Sequence, residues 1–152
     1  MHSTARVRPA LEADWPRIRA MLSADKLPTS DLSAASALDF LVADGASTIV
    51  GAVAVERHGD HGLLRSLVVD PACRQSGVGR ALVRAAEAIA RRDGLASLTL
   101  LTQTAAPFFR ALGYRDIART DAPAVVQASH EFTHLCPGSS MCMTKTMTTR
   151  TA

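Results

Sequence analysis

The chain has 152 residues, 47% of them in the apolar set AVILMFWYC and 20% charged, with a formal net charge of +3 at pH 7. That balance excludes a disordered chain, and a domain this long buries about two thirds of the surface its unfolded chain exposes, so no disulfide or metal staple is needed. Lys26 and Lys145 are the only lysines and the arginines are scattered, which excludes a clustered nucleic-acid face and suits an anionic small molecule.

Cys73, Cys136 and Cys142 form no C-x-x-C pair, so neither a disulfide framework nor a zinc signature is expected, and a reducing compartment is. The first residues lack the apolar core of a signal peptide, and no apolar run is long enough to span a membrane. The expectation is one domain over residues 1–152, cytoplasmic, with no membrane partner.

Ala5 to Pro9 reads as a short strand. Asp14 then reads as an N-cap with Pro16 in the first helical turn, and Ile18, Met21 and Leu22 recur at helical spacing while Arg17 and Arg19 face water. Leu27 to Asp31 breaks that helix and leads into a second helical turn near Ser33 to Leu38. Phe40 to Ala43, Asp44-Gly45 and Ser47 to Arg57 read as a hairpin in which Asp-Gly supplies positive φ. His58-Gly59-Asp60 turns the chain into a central strand, Leu63 to Val69, whose apolar run suits burial on both faces.

Val78 to Asp93 is the clearest helix: Val78, Leu82, Ala85, Ala86 and Ile89 keep a 3.6-residue period, and Gly94 suits a left-handed C-cap. A strand over Leu95 to Leu101, a helix over Ala105 to Leu112 ended by Gly113, and a strand over Tyr114 to Arg119 follow. Pro123 to Thr133 reads as helix or loop, and Ser140 to Met147 as a last strand of mixed polarity.

The informative stretch runs from Leu67-Val68-Val69 through Asp70-Pro71 and Arg74-Gln75-Ser76-Gly77-Val78-Gly79-Arg80, a strand passing through a glycine turn into a strong helix. Such a turn aims free backbone N–H groups and the positive end of a helix dipole at one place, which suits a pyrophosphate, with Arg74 and Arg80 adding charge. It is neither a Walker loop nor a dinucleotide fingerprint, because the Gly-Lys-Ser/Thr ending and the third glycine are absent.

Arg74-x-x-Gly77-x-Gly79 after a Leu-Val-Val-Asp-Pro strand end resembles the acetyl-CoA motif of GNAT acetyltransferases. Thr102-x-x-Ala105-x-x-Phe108-Phe109-x-x-x-Gly113-Tyr114 is similar to the second signature of that family. The resemblance implies an α/β (α+β) fold, with a mixed, mostly antiparallel sheet splayed at the cofactor and flanked by helices. It implies acetyl-CoA as cosubstrate, no metal, and a small-molecule amine as acceptor. Leu67, Val68 and Val69 would pair with the pantetheine arm, Arg74, Gln75, Ser76, Gly77, Val78, Gly79 and Arg80 would hold the pyrophosphate, and Thr102 and Phe109 would complete the cofactor site. Family members often dimerise, and no interface is legible in the pattern.

Two departures from the family stand out. Phe109 occupies the position at which many members carry a tyrosine that reprotonates the thiolate, and a phenyl ring donates no proton. Arg65 and Ser66 stand where many carry a glutamate base; an arginine grips carboxylates instead, so Arg65 and Ser66 point to an amino-acid or acidic acceptor. Glu12, Glu56, His58, His130 and Glu131 are the candidate bases. His130 and Glu131 rank first, while His58 and His61, flanking a turn, read as exposed.

Leu27-Pro28-Thr29-Ser30-Asp31-Leu32, Leu63 to Leu67 and Glu131 to Ser140 together resemble the arsenic-resistance branch of the family. That resemblance implies amino-acid-like acceptors, with Thr29 and Asp31 lining the acceptor end. Two other readings stay open on the residues: a non-catalytic acyl-CoA sensor, suggested by Phe109, and a metalloid-binding protein using Cys136 and Cys142.

Overall fold

The computed structural model describes residues 6–27, 38–74, 76–129, 132–133 and 140–147. Seven strands form one mixed sheet in the order β1-β2-β3-β4-β5-β7-β6. The chain falls into two compact units, Met1–Val55 with Ser66–Ala86, and Glu56–Arg65 with Glu87–Ala152. Among the described residues no helix is long and apolar enough to cross a membrane.

In the first unit β1 (Arg6–Pro9) pairs antiparallel with β2 (Leu38–Asp44), from Arg6 opposite Asp44 to Pro9 opposite Leu41. The expected helical turn over 33–37 lies outside the described residues, and Leu38 already belongs to β2. Helix α1 (Trp15–Ala24) carries Pro16 in its first turn, where the missing N–H costs no hydrogen bond. Its Ile18, Met21 and Leu22 pack in one cluster with Phe40, Val42, Ile49, Ala52, Ala54 and Val68. Each of the larger side chains (Ile, Leu, Met, Phe, Val) contributes about 1.5–3 kcal/mol through area removed from water.

Three local expectations are corrected here. Asp14 does not cap α1 through its side chain; its carboxylate accepts from the Leu11 N–H at 2.8 Å and pairs with Arg8, also at 2.8 Å. Arg17 does not simply face water, for it donates to the Ile49 carbonyl at 3.2 Å and to Asp70 at 2.7 Å. Gly45 does not adopt positive φ: the link from β2 to β3 (Ile49–His58) is longer than a two-residue turn and is closed by the Gly45 N–H on the Thr48 carbonyl at 2.8 Å. Glycine is needed there for close approach, since a Cβ would lie 2.6 Å from Val50 Cγ1 and 2.7 Å from the Thr48 carbonyl.

Helix α2 (Val78–Arg92) covers the other face of β3. Alternation along a strand puts Gly51 opposite in direction to Ala52, and a Cβ on Gly51 would meet Leu82 Cδ1 at 2.8 Å and Val78 Cγ1 at 3.1 Å. The buried stripe of α2 runs through Val78, Leu82, Val83, Ala86, Glu87 and Ala90, with Ala85 and Ile89 only half-buried. It is rotated slightly from the stripe that the apolar pattern alone marks.

In the second unit the first part of β4 (His61–Val69) runs parallel to β5 (Ser97–Thr102), paired from His61–Ser97 to Leu63–Thr99, where the ladder ends. The last strand, β7 (Met141–Thr146), lies antiparallel to both β5 and β6 (Arg115–Ile117). Its mixed polarity is thereby explained: Thr144 is buried and its hydroxyl lies 3.2 Å from that of Thr99 across the ladder. Helix α3 (Ala106–Ala111) ends at Gly113, φ +100°, and Pro123 to Thr133 includes a short helix α4 (Ala124–Gln127). Leu63, Ala122, Val126, Phe132 and Cys142 form one buried cluster of this unit.

Candidate active site

The segment expected to hold phosphates joins the end of β4 to the head of α2. Asp70 ends β4: its N–H bonds the Val50 carbonyl at 2.8 Å and its carboxylate accepts from the Ala72 N–H at 2.9 Å. That amide, and after it the Arg17 guanidinium, hold the Asp70 carboxyl below the usual carboxylate range. Ser76 Oγ donates to the Cys73 carbonyl, and Gly77 takes φ +89° with open space where a Cβ would be. Conformation, not crowding, therefore requires glycine at this position.

The first intrahelical bond of α2 runs from Ala81 N–H to the Gly77 carbonyl at 3.0 Å. The amides of Val78, Gly79 and Arg80 lie ahead of it, the donors that a helix start leaves without an intrahelical partner. A 15-residue helix stands behind them, so its dipole favours an anion at this end. Arg80 is exposed. Arg74 is turned aside, donating to the Val69 carbonyl at 3.2 Å and to Asp25 at 2.9 Å. Gln75 lies outside the described residues.

On β4, Leu67 and Val69 are half-buried, and Val68 is 3% exposed with its side chain in the α1 cluster. Ser66 has φ +59°, a left-handed residue inside a strand. Such a residue turns the backbone as a bulge does and costs on the order of 1 kcal/mol. Sequence reading missed it, because serine carries no signal for that conformation.

In the second unit Thr102 Oγ1 accepts from the Ala105 N–H at 3.0 Å, so it holds the turn into α3. Phe109 is 5% exposed and stacks edge-on with Phe108 and Tyr114, at ring separations of 5.1 and 5.5 Å. Tyr114 donates from its hydroxyl to Glu87, and burial, reinforced by the Glu87 charge, pushes its phenol well above the ordinary tyrosine range. It stays protonated and engaged. Glu87, 2% exposed, also receives Lys145 Nζ at 3.1 Å. This trio was not foreseen; its one signal was a glutamate on the apolar stripe of α2.

Arg65, whose side chain is fully enclosed, points toward Glu56 on β3, with NH1 3.6 Å from Oε1. His58 Nε2 lies 3.5 Å from the same oxygen. The expectation that His58 and His61 are exposed is wrong: both are half-buried, and His61 Nδ1 meets Ser97 Oγ at 2.8 Å. His61 lies opposite Ser97 in the parallel pairing of β4 with β5, and His58 lies beside Glu56. Glu12 is exposed in a 3-10 turn before α1. His130, Glu131, Thr29, Asp31 and Cys136 lie outside the described residues.

Cys142 is buried, and burial pushes its thiol up to about 11, so it is a thiol and a packing residue at neutral pH. Among the described residues no group of three or more His, Cys, Asp or Glu could hold a metal ion. A depression of about 320 Å³ on the second unit is lined by residues such as Arg115, Asp121 and Thr144, and by none of the expected site residues.

A mixed seven-stranded sheet with a glycine turn between β4 and a long helix is the architecture of acyl-CoA N-acyltransferases. The GNAT acetyltransferase domain matches residues 36–116, more than half of the chain, and the chain belongs to that family. An uncharacterized N-acetyltransferase of Chlorobaculum tepidum is 34% identical over 86 residues, which are 56% of this chain and 55% of that protein. The match thus spans about half of that curated relative.

N-acetylglutamate synthase of Neisseria gonorrhoeae, solved with coenzyme A and N-acetyl-glutamate, superposes with a TM-score of 0.79 at 18% identity, over 97% of this chain and 36% of that one. Rv2747 of Mycobacterium tuberculosis, solved with coenzyme A and NLQ, gives 0.73 at 23% identity, over 93% and 98%. At these identities the likeness is one of fold.

Proposed function

We propose that the chain is an acetyl-CoA-dependent N-acetyltransferase that acetylates the amine of a small molecule, an amino acid or amino-acid analogue, in a setting such as arsenic or toxin resistance. The observation that carries the reading is the Gly77 turn, whose left-handed φ of +89° leads into the head of α2, where the amides of Val78, Gly79 and Arg80 make no hydrogen bond among the described residues. Leu67, Val68 and Val69, which lead into that turn, are the backbone along which a pantetheine arm would pair. The amino-acid acceptor is supported by Arg65 and by the neighbour solved with N-acetyl-glutamate.

Transfer is direct: a neutral amine attacks the thioester carbonyl, and backbone N–H groups aimed at its oxygen stabilise the developing charge. Phe109 has no proton to give, and Tyr114 is committed to Glu87. The thiolate therefore leaves unassisted by either, which a thiol pKa of about 8.5 permits.

The test is release of free thiol from acetyl-CoA with a panel of amino acids, phosphinothricin-like and arsenic-bearing analogues included. Thiol release with one class of acceptor supports the reading. Coenzyme A binding with no acetylated product from any acceptor would instead favour the non-catalytic sensor, the reading that Phe109 suggests.

A further inference from the structure

Glu56 and His58, two apart on β3, share one face of that strand. Arg65 on β4 approaches the same carboxylate, and its side chain is 0% exposed. Both contacts to Glu56 Oε1, 3.6 Å from Arg65 and 3.5 Å from His58, are too long to be hydrogen bonds. Glu56 Oε1 and His58 Nε2 are buried atoms that make no hydrogen bond among the described residues.

Two other carboxylates of the same unit are closed. Glu87 accepts from Tyr114 at 3.0 Å and from Lys145 at 3.1 Å, and Asp116 takes both arms of Arg110 at 3.1 and 2.8 Å. A structural ion pair between strands tightens in this way. Glu56 instead sits open between a cation and an imidazole, and buried polar groups left in that state mark a place that a ligand or water completes. His58 and Arg65 are the charged or titratable groups placed against it among the described residues.

We propose that Glu56 receives the ammonium of the acceptor and takes its proton, with His58 as the next proton station. The assignment rests on the acetyltransferase reading above. The ammonium gives one proton to Glu56, and the freed lone pair forms the N–C bond to the thioester carbonyl carbon. Collapse of the adduct breaks the C–S bond, the nitrogen loses its second proton, and the departing thiolate takes up one. One proton is released per turnover, and it leaves Glu56 through His58 Nε2.

The experiment is steady-state kinetics of the full chain against Glu56→Gln, an isosteric change, with an amino-acid acceptor over a range of pH. General-base loss is expected to lower kcat about 10²–10³-fold near pH 7 while the KM for acetyl-CoA holds. It is also expected to recover about tenfold per pH unit toward the amine's own pKa, as solvent supplies the neutral amine. A merely structural defect does not recover in that way. Glu56→Asp, which keeps the base and moves it, retains part of the activity and carries the same test if Glu56→Gln does not fold.

A kcat within threefold of the unmodified protein, or a loss that is flat in pH, overturns the assignment. So does the same pH-recovering loss in Glu131→Gln in place of Glu56→Gln. If the unmodified protein binds coenzyme A and releases no thiol with any amine, the acetyltransferase reading itself fails, and the role of Glu56 falls with it. That outcome is seen before any variant is made.

Discussion

The Tyr114 hydroxyl donates a 3.0 Å hydrogen bond to Glu87, both residues being 2% exposed, and so ties the end of α3 to the middle of α2. Lys145 completes the arrangement, reaching Glu87 at 3.1 Å and the Leu112 carbonyl at 2.8 Å, with its ammonium 5.6 Å from the Tyr114 ring centre. Removing the carboxylate leaves the Tyr114 phenol without its acceptor and takes the counter-charge from the Lys145 ammonium, which keeps the Leu112 carbonyl. Glu87→Ala is expected to lose about 3–5 kcal/mol of stability, the cost of breaking a buried pair from one side.

Tyr114→Phe gives up one hydrogen bond to a charged group and is expected to cost about 1.5–3 kcal/mol. Its kcat stays within a few-fold of the unmodified protein, because the phenol is engaged by Glu87 and held in its protonated form. Urea unfolding and thiol-release kinetics on the same two variants check both statements. A large kcat loss in a stable Tyr114→Phe would return Tyr114 to the chemistry.

Gly77→Glu combines two injuries, a left-handed φ of +89° that side chains rarely adopt and an anion placed where phosphates are expected. The expected result is a loss of coenzyme A affinity of a hundredfold or more, about 2.7 kcal/mol, in a protein that still folds. Gly77→Asn, which tolerates the left-handed region, separates the two causes. Calorimetry with coenzyme A reads both; undiminished affinity in Gly77→Glu would move the phosphate site elsewhere.

Stability in acid reports on Asp14. Its carboxyl is held below the usual range, first by hydrogen bonds from Arg8 and then, against a desolvation penalty, by the Leu11 N–H. The folded pKa is below the unfolded value of about 3.9, so the contribution is full above about pH 4 and is lost as pH falls through the folded pKa. Asp14→Asn is therefore less stable than the unmodified chain at pH 7, and the gap closes in acid. A gap that stays constant from pH 7 to pH 2 would show that Asp14 does not ionise differently on folding.

Cys142, pushed up to about 11 by burial, reacts through a thiolate that is scarce at pH 8, whereas Cys73 is partly exposed. Iodoacetamide at pH 8 is expected to label Cys73 at least tenfold faster than Cys142 in the folded protein, as peptide mass spectrometry measures. Equal rates would reopen the metalloid-binding reading for Cys142.

Several parts of the molecule were legible without coordinates. The Val78 to Arg92 helix and its Gly94 terminus follow from a local period and a local conformational need, and both stand, with Gly94 at φ +74°. Gly77 is likewise a local requirement, and so is the turn at Gly59. The hairpin link at Gly45 was misread because an Asp-Gly pair signals either positive φ or close approach, and Val50, five residues on, decides between them.

Other features depend on partners far apart in the chain. Arg17 meets Asp70, Lys145 meets Glu87, and His61 meets Ser97 across separations of 53, 58 and 36 residues. Nothing near Glu56 in the sequence marks its carboxylate as open, because that property belongs to the spacing of Arg65 and His58 around it.

The sequence by itself determined the family, the glycine turn and the order of the elements, since each is written in short-range spacing and in conformations that single residue types demand. Only the tertiary structure decided that Ser66 is left-handed, that β7 lies between β5 and β6, and that Glu87 is hydrogen-bonded to Tyr114 and Lys145 while Glu56 Oε1 is buried without a hydrogen bond among the described residues. Strand pairing and burial join residues dozens of positions apart, and the state of a charged group is set by what that joining places beside it.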